Sequence, residues 1–285
     1  MACLGETPAL ASALTQVTQK QYYREVQYMV DSSRILFEDD DHQVIWFGWE
    51  DQEHESLVQS NQLLIIHGEN GYLLDPGGAF IFSEVAAEVS KYLPLHQIRY
   101  ILATHQDPDV LSSITLWLKA TEARLLISRL WVRFVSHFGF SDNSRLVPIE
   151  DHGKQIRLED NAYIQLLPAH FLHSEGNFCF YDTRSKTLFT GDIGASVFPK
   201  GERYLIADDW QKQVQYMAGF HRRYMANNIA LRRWVRSVRG LEIERIVPQH
   251  GAVIPASMVD DFLDWLEQLE CGTDLIEQIY DNALN

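Results

Sequence analysis

Short apolar runs punctuate this chain, and several of them stop at a histidine or an aspartate. Val26, Tyr28 and Val30 alternate with polar residues, the period of a half-buried strand. Arg34–Phe37 and Val44–Trp49 read as further strands, split by the acidic turn Glu38–Asp41. Leu63–His67 and Tyr72–Leu74 predict a hairpin about Glu69-Asn70-Gly71, closed by the tight loop Asp75-Pro76-Gly77-Gly78. Ile81, Val85, Val89 and Tyr92 keep helical spacing as far as Pro94. A buried strand, Tyr100–Ala103, stops at Thr104-His105. A helix is expected from near Asp109 through Trp117, then a strand at Leu125–Ser128 and a helix over Leu130–Phe138. Tyr163–Leu167, Asn177–Tyr181 and Thr187–Thr190 read as strands, and Glu244–Val247 as the last one. One long helical region covers about 209–239, and the tail from Ala256 is helical. Strands in both halves, with helices between and after them, fit two sheets sandwiched between helix layers.

Composition narrows this picture. The chain has 285 residues, 46% of them hydrophobic, enough for one large α/β domain or two small ones. No repeat, low-complexity stretch or linker divides it. Residues 1–20 are small and polar, the texture of a frayed, disordered end. With 24 basic and 39 acidic residues the formal charge is −15, which repels nucleic acid and anionic membranes at long range. Cys3, Cys179 and Cys271 stand far apart and form no metal-binding or disulfide framework, which reads as a reduced, cytoplasmic protein. The N-terminus lacks the basic and apolar regions of a signal peptide, and no run reaches the roughly 18 apolar residues of a membrane span.

The chemistry lies at strand ends, where a rigid sheet aims side chains that a loop leaves open. Thr104-His105-Gln106-Asp107-Pro108-Asp109 puts one imidazole and two carboxylates into a short turn stiffened by Pro108. Its plain structural reading is a helix N-terminus, with Asp107 and Asp109 capping free N–H groups. His170 and His173 stand three apart before Gly176, Gly191-Asp192 ends a strand, and His250-Gly251 ends another. Each of these alone is more often structural than ligating.

Taken in order, the four segments resemble the metallo-β-lactamase superfamily: an HxxxD first motif, a histidine followed by glycine, a strand-end GD and a late histidine, with Asp75-Pro-Gly as the early Asp-x-Gly. The resemblance covers roughly residues 25–255. It implies a four-layer αββα sandwich, a single domain over 1–285 with a helical tail at 256–285, and a dinuclear metal site. The hydrolases of the superfamily show HxHxDH, whereas position 107 here is Asp. A carboxylate there is similar to the flavodiiron proteins, whose motif is HxExDH, and it hardens the site toward iron. The wording HFLHSEGNF…LFTGDIGA and FHRRYMANN is closest to the flavin-free, oxygen-binding di-iron proteins related to bacterial chemotaxis.

By that resemblance one iron takes His105, Asp107 and His173, the other takes Asp109 and His250, and Asp192 bridges them. His170 is either a supporting hydrogen-bond donor or a replacement ligand, and Asp75 supports the first motif. Zinc and manganese are the alternative metals. Two positions depart from the pattern: Asp107 is one methylene shorter than Glu, and Val110 stands where the motif ends in His. The second metal would then have open positions for O2 or NO, or be weakly held. No GxGxxG, P-loop or CxxC pair is present, and only 35 residues follow His250, so no FMN module is expected.

The function implied is an oxygen sensor or carrier, or an oxidoreductase served by an external electron donor or coupled to a signalling protein. The alternatives are a dinuclear hydrolase of phosphoesters, thioesters or lactams, and an inactive scaffold. Six arginines between His221 and Arg239 are either a docking face for an acidic partner or, more in keeping with the many acids, a paired solvent face. Tyr204, Trp210, Tyr216 and Tyr224 suit core packing or a lid. The apolar stripe on Met258–Leu269 packs on the body or joins a homodimer. His42, His54, His67, His96, His137 and His152 lie in no motif.

Overall fold

The computed structural model describes residues 33–49, 59–140, 142–199, 202 and 204–283. The alternation at Val26, Tyr28 and Val30 and the polar end 1–20 lie outside them. Seven strands follow one another across the first sheet: β1 (Ser33–Glu38), β2 (His42–Trp49), β3 (Ser60–His67), β4 (Asn70–Leu74), β5 (Ile98–Leu102), β6 (Arg124–Ser128) and β7 (Leu146–Ile149). Six form the second: β8 (Lys154–Arg157), β9 (Tyr163–Pro168), β10 (Phe178–Asp182), β11 (Thr187–Gly191), β12 (Arg245–Pro248) and β13 (Ile254–Pro255).

Alternation decides the layers. Val44, Trp46, Leu63 and Ile65 face the second sheet, where they meet Ile164, Leu166, Phe178, Phe180 and Phe189. Their neighbours Ile45, Phe47 and Leu64 face outward onto α1 (Phe82–Val89) and α3 (Ile114–Ala120), with Trp117 fully buried. In β10, Cys179 and Tyr181 face away from Phe178 and Phe180, toward α5 (Trp210–Tyr224), α6 (Asn228–Val238) and α7 (Ala256–Gln268). The result is the four-layer αββα sandwich. Strands covered on both faces read as continuous apolar runs, which is why these were found. Each large side chain buried this completely contributes about 1.5–3 kcal/mol relative to exposure.

Several elements differ from the sequence expectation. β7 and β8 are missing from it: β7 carries Pro148, and β8 is a mostly exposed edge strand, Lys-Gln-Ile-Arg, without an apolar alternation. Glu244–Val247 is not the last strand, because the two-residue β13 pairs with it. The helix after His105 breaks into α2 (Pro108–Leu111) and α3, and Leu130–Phe138 shrinks to α4 (Val132–Val135) with a following 3-10 turn. The 209–239 region breaks at Met225–Asn227. Asn227 caps α6 through Ala230 N–H, and the Asn228 amide donates to the carbonyls of Glu267 and Leu269 at the end of α7. Periodicity shows apolar faces, and a break capped by side chains leaves those faces in phase.

The topology puts five loops at one end. β4, β5 and β6 are parallel, as are β11 and β12. β9 runs with β11 because both are antiparallel to β10. Asp75, His105, His173, Asp192 and His250 follow the C-terminal ends of β4, β5, β9, β11 and β12. Phe178 N–H donates to the Thr104 carbonyl at 3.0 Å, tying the two sheets together there.

Candidate metal centre

Asp107 is the N-cap of α2, yet its side chain makes no capping hydrogen bond, so the plain capping reading fails. Its Oδ2 lies instead 3.4 Å from His173 Nε2 and 3.7 Å from His105 Nε2. Asp192 Oδ2 completes this group, 2.8 Å from His173 Nε2 and 3.7 Å from His105 Nε2. Donor atoms of His105, His173 and Asp192 all lie within 4.8 Å of one another. The other oxygen, Asp192 Oδ1, lies 3.4 Å from His250 Nε2, which is 3.3 Å from Asp109 Oδ2. One buried carboxylate thus faces two separate groups, one with each oxygen.

The far side of each ring fixes its tautomer. Thr104 Oγ1 donates to Asp75 Oδ2 at 2.7 Å, so it accepts from His105 Nδ1–H at 2.8 Å. His250 Nδ1–H donates to the Gln59 carbonyl at 2.6 Å. In the neutral rings both Nε2 atoms are lone pairs pointing at carboxylates. Lone pairs and carboxylates facing one another need a cation between them, and imidazole with carboxylate is a donor set that iron, zinc or manganese accepts. Without a metal, protons fill that role. Burial would lower His173, but Asp107 and Asp192 push it up to about 10. Burial would likewise lower His250, which Asp109 and Asp192 push up to about 9. Burial works to raise Asp192, and His105, His173 and His250 hold it well below the usual carboxylate range.

Asp75 acts through Thr104, accepting from its N–H at 2.8 Å as well as its hydroxyl. Burial pushes its carboxyl up to about 8. His170 donates Nε2–H to the Asp151 carbonyl at 2.8 Å and packs edge-on against Phe178, and it offers no atom to the His105–His173–Asp192 group. Val110 is fully buried in the core beneath α1 and α3, so nothing from that position reaches Asp109. Gln249 does: its Nε2 is 3.4 Å from Asp109 Oδ2, and its Oε1 is buried without a partner.

Sequence reasoning missed the residues that hold the loops. Ser174 Oγ donates to Gln106 Oε1 at 2.7 Å, joining the His105 and His173 loops. His221 is fully buried; its Nε2 accepts from Gly194 N–H at 2.9 Å and fixes the turn after Asp192. Burial drives that ring down to about 4, so it stays neutral. Asn61 Nδ2 donates to the carbonyls of Pro248 and Gly251 at 2.8 and 2.9 Å, clamping the His250 loop to β3. An amide between Ser60 and Gln62, just ahead of an apolar run, carries no motif. Asn61→Ala should lose about 1–3 kcal/mol of stability by leaving buried carbonyls unpaired. It should also release metal from the His250 side first, as read by a thermal melt and a chelator challenge; wild-type values in both would refute the clamp.

Phe220 and Tyr224 stack at 4.7 Å, and both touch the His173 ring, so Tyr224 walls the site rather than the core. Tyr216 instead packs on Phe198, and Trp210 on Trp265. The arginines divide between α5 and α6. Arg239 pairs with Asp264 and Glu267. Among the described residues no ion pair reaches Arg222, Arg223, Arg232, Arg233 or Arg236, so the expectation of a paired face holds for Arg239 alone.

Comparison with known proteins places this geometry. The model of the ODP family of beta lactamases matches residues 58–251. The chain belongs to that family. The chemotaxis sensor ODP, solved as a peroxy diiron species, is 44% identical, with 87% of this chain and 99% of that one covered and a TM-score of 0.78. Its apo state from T. denticola matches equally, at 44% identity and TM-score 0.78. Rubredoxin oxygen:oxidoreductase from Desulfovibrio gigas shares the fold at TM-score 0.68 and 17% identity, covering 82% of this chain and 61% of that one. An uncharacterized protein of Methanocaldococcus jannaschii is 21% identical over 192 residues, 66% of this chain. The chain spans less than half the length of the curated relatives it matches. The family is therefore that of the ODP beta lactamases, and the fold is one shared with the flavodiiron proteins. No helix among the described residues is long and apolar enough to cross a membrane.

Proposed function

We propose that this ODP-family chain binds O2 at a di-iron centre and acts as an oxygen sensor; its 44%-identical relative is named a chemotaxis sensor and was solved as a peroxy diiron species. The observation that carries the reading is Asp192, whose two oxygens face His105 and His173 on one side and His250 on the other. On this reading His105, Asp107 and His173 hold one iron, Asp109 and His250 the other, and Asp192 both. The pair of ferrous ions, when bound, supplies the electrons that O2 takes up on binding.

The protein's own part is to aim and to shield. Thr104 and the Gln59 carbonyl accept the Nδ1 protons of His105 and His250, which leaves each Nε2 as the atom a metal would meet. Phe220 and Tyr224 pack edge-on against the His173 ring and cover part of it. Val110, buried in the core, leaves the Asp109 side with fewer ligands, and an open position is what a gas needs. A sensor needs no electron donor for each binding event, whereas turnover would. The hydrolase alternative lacks support at the same place, since no imidazole follows Asp109.

Protein expressed in iron-replete medium should carry about two irons per chain on two-metal logic. Anaerobic reduction followed by air should give a new near-ultraviolet or visible charge-transfer band. Zinc or manganese alone by elemental analysis would sink the iron assignment, and an unchanged spectrum would sink O2 binding. A comparable band with NO would make the ligand a matter of supply.

A further inference from the structure

A second group of metal-capable side chains lies at the opposite end of the sandwich. Asp41 is in the turn between β1 and β2, His67 ends β3, and Asp160 is in the turn between β8 and β9. One ligand atom from each lies within 4.8 Å of the others. His67 and Ser60 stand at the two ends of β3, about 23 Å apart at the usual rise per residue, and Ser60 is the end near His250. The two groups are therefore separate sites.

Acidic turns are common and bind nothing by themselves; His67 is the unusual member. It is 2% exposed, and its Nε2 is buried with no hydrogen-bond partner. A chain of hydrogen bonds sets its protonation. Asp182 Oδ2 accepts from His42 Nε2–H at 2.8 Å, with Ser185 also donating to that carboxylate. Neutral His42 then carries a lone pair on Nδ1. His42 Nδ1 and His67 Nδ1 are 3.1 Å apart, and with His42 in that form His67 supplies the proton between them. That leaves His67 Nε2 as a bare lone pair, in a group whose other members are carboxylates. A carboxylate–imidazole relay behind a free imidazole nitrogen is how metal-ligating histidines are oriented.

Charge favours a cation as well. Asp39, Asp41, Asp160 and Asp182 surround this end; of the guanidiniums there, Arg184 is held by Asp39 at 2.8 Å and by Asp41, Arg157 reaches Asn161 Oδ1 at 3.4 Å, and Arg245 donates to the Ser185 carbonyl and Thr187 Oγ1. Two carboxylates and one imidazole with water make a zinc donor set. Donors about 2.0–2.2 Å from zinc sit roughly 3.4 Å apart, so closure asks for shifts of about 1 Å. We infer that Asp41, His67 and Asp160 form a further divalent-cation site, of zinc type, independent of the Asp192 centre.

The test is equilibrium dialysis of the iron-loaded protein against micromolar Zn2+, with metals counted per chain. Wild type should take up one zinc beyond its iron, without losing iron. Asp160→Asn, an exposed turn substitution, should bind that zinc at least ~10-fold more weakly and keep its iron. Asp41→Asn should do the same. No added zinc in wild type would overturn the site. So would an added zinc that both variants retain unchanged.

Discussion

Asp192→Ala is expected to yield a folded protein with almost no bound metal. The carboxylate is 4% exposed and, among the described residues, is the one group that faces both halves of the centre. Losing even an outer-shell partner typically lowers metal affinity about 10- to 100-fold. A shared inner-shell carboxylate should cost at least ~100-fold at each position. It also removes the negative charge that offsets three converging histidines. Asp109→Ala makes the contrast, because Asp109 contacts only His250 among the site histidines. It should cost one metal and spare the one beside His105 and His173. Elemental analysis with far-ultraviolet circular dichroism checks both variants. Two metals retained in Asp192→Ala would refute the bridge; loss of both in Asp109→Ala would refute the division into two positions.

Gly251→Ala should be strongly destabilising and should disturb the metal centre directly. Gly251 has φ +84, a left-handed conformation that costs an alanine about 1–2 kcal/mol. Its Cβ would stand 1.8 Å from Ser196 Oγ and 2.8 Å from the Ser196 carbonyl, so backbone has to move. Ser196 is not free to yield, since its Oγ accepts from Gln213 Nε2 at 3.2 Å. Strain and displacement together should exceed about 3 kcal/mol, or about 6 °C or more in Tm for a chain of this size. The shifted loop also carries His250, so the Asp109 side should lose metal first. A melt within a degree of wild type, with full metal, would show that the loop relaxes at no cost. Gly191 is a milder case: a Cβ there would meet Thr104 Oγ1 at 3.0 Å, which is why the strand end reads Gly-Asp.

Much of the fold was legible because its strands are covered on both sides. Val44–Phe47, Leu63–His67 and Phe178–Asp182 need apolar residues at nearly every position, and the sequence shows the runs plainly. Edge strands obey no such demand. β7 keeps a proline and β8 is mostly polar, so neither announces itself. Of the six residues named for metal binding, His105, Asp192 and His250 stood out because each stops an apolar run, and Asp107, Asp109 and His173 through the order of motifs that resembles a family pattern.

Sequence alone therefore determined the layers, the strand ends and the identity of the acids and histidines at them, since burial and ligand chemistry restrict residue type locally. Only tertiary structure decided which atoms meet. That Asp107 turns to His173 instead of capping its helix, that Asn61 and Gln59 clamp His250, and that His170 turns to Asp151 are facts about distant segments. The same holds for His42, His67 and Asp182, which no motif joins and which hydrogen bonds link from β2 to β10. A hydrogen bond across 140 residues leaves no period in the chain, because nothing local requires either partner.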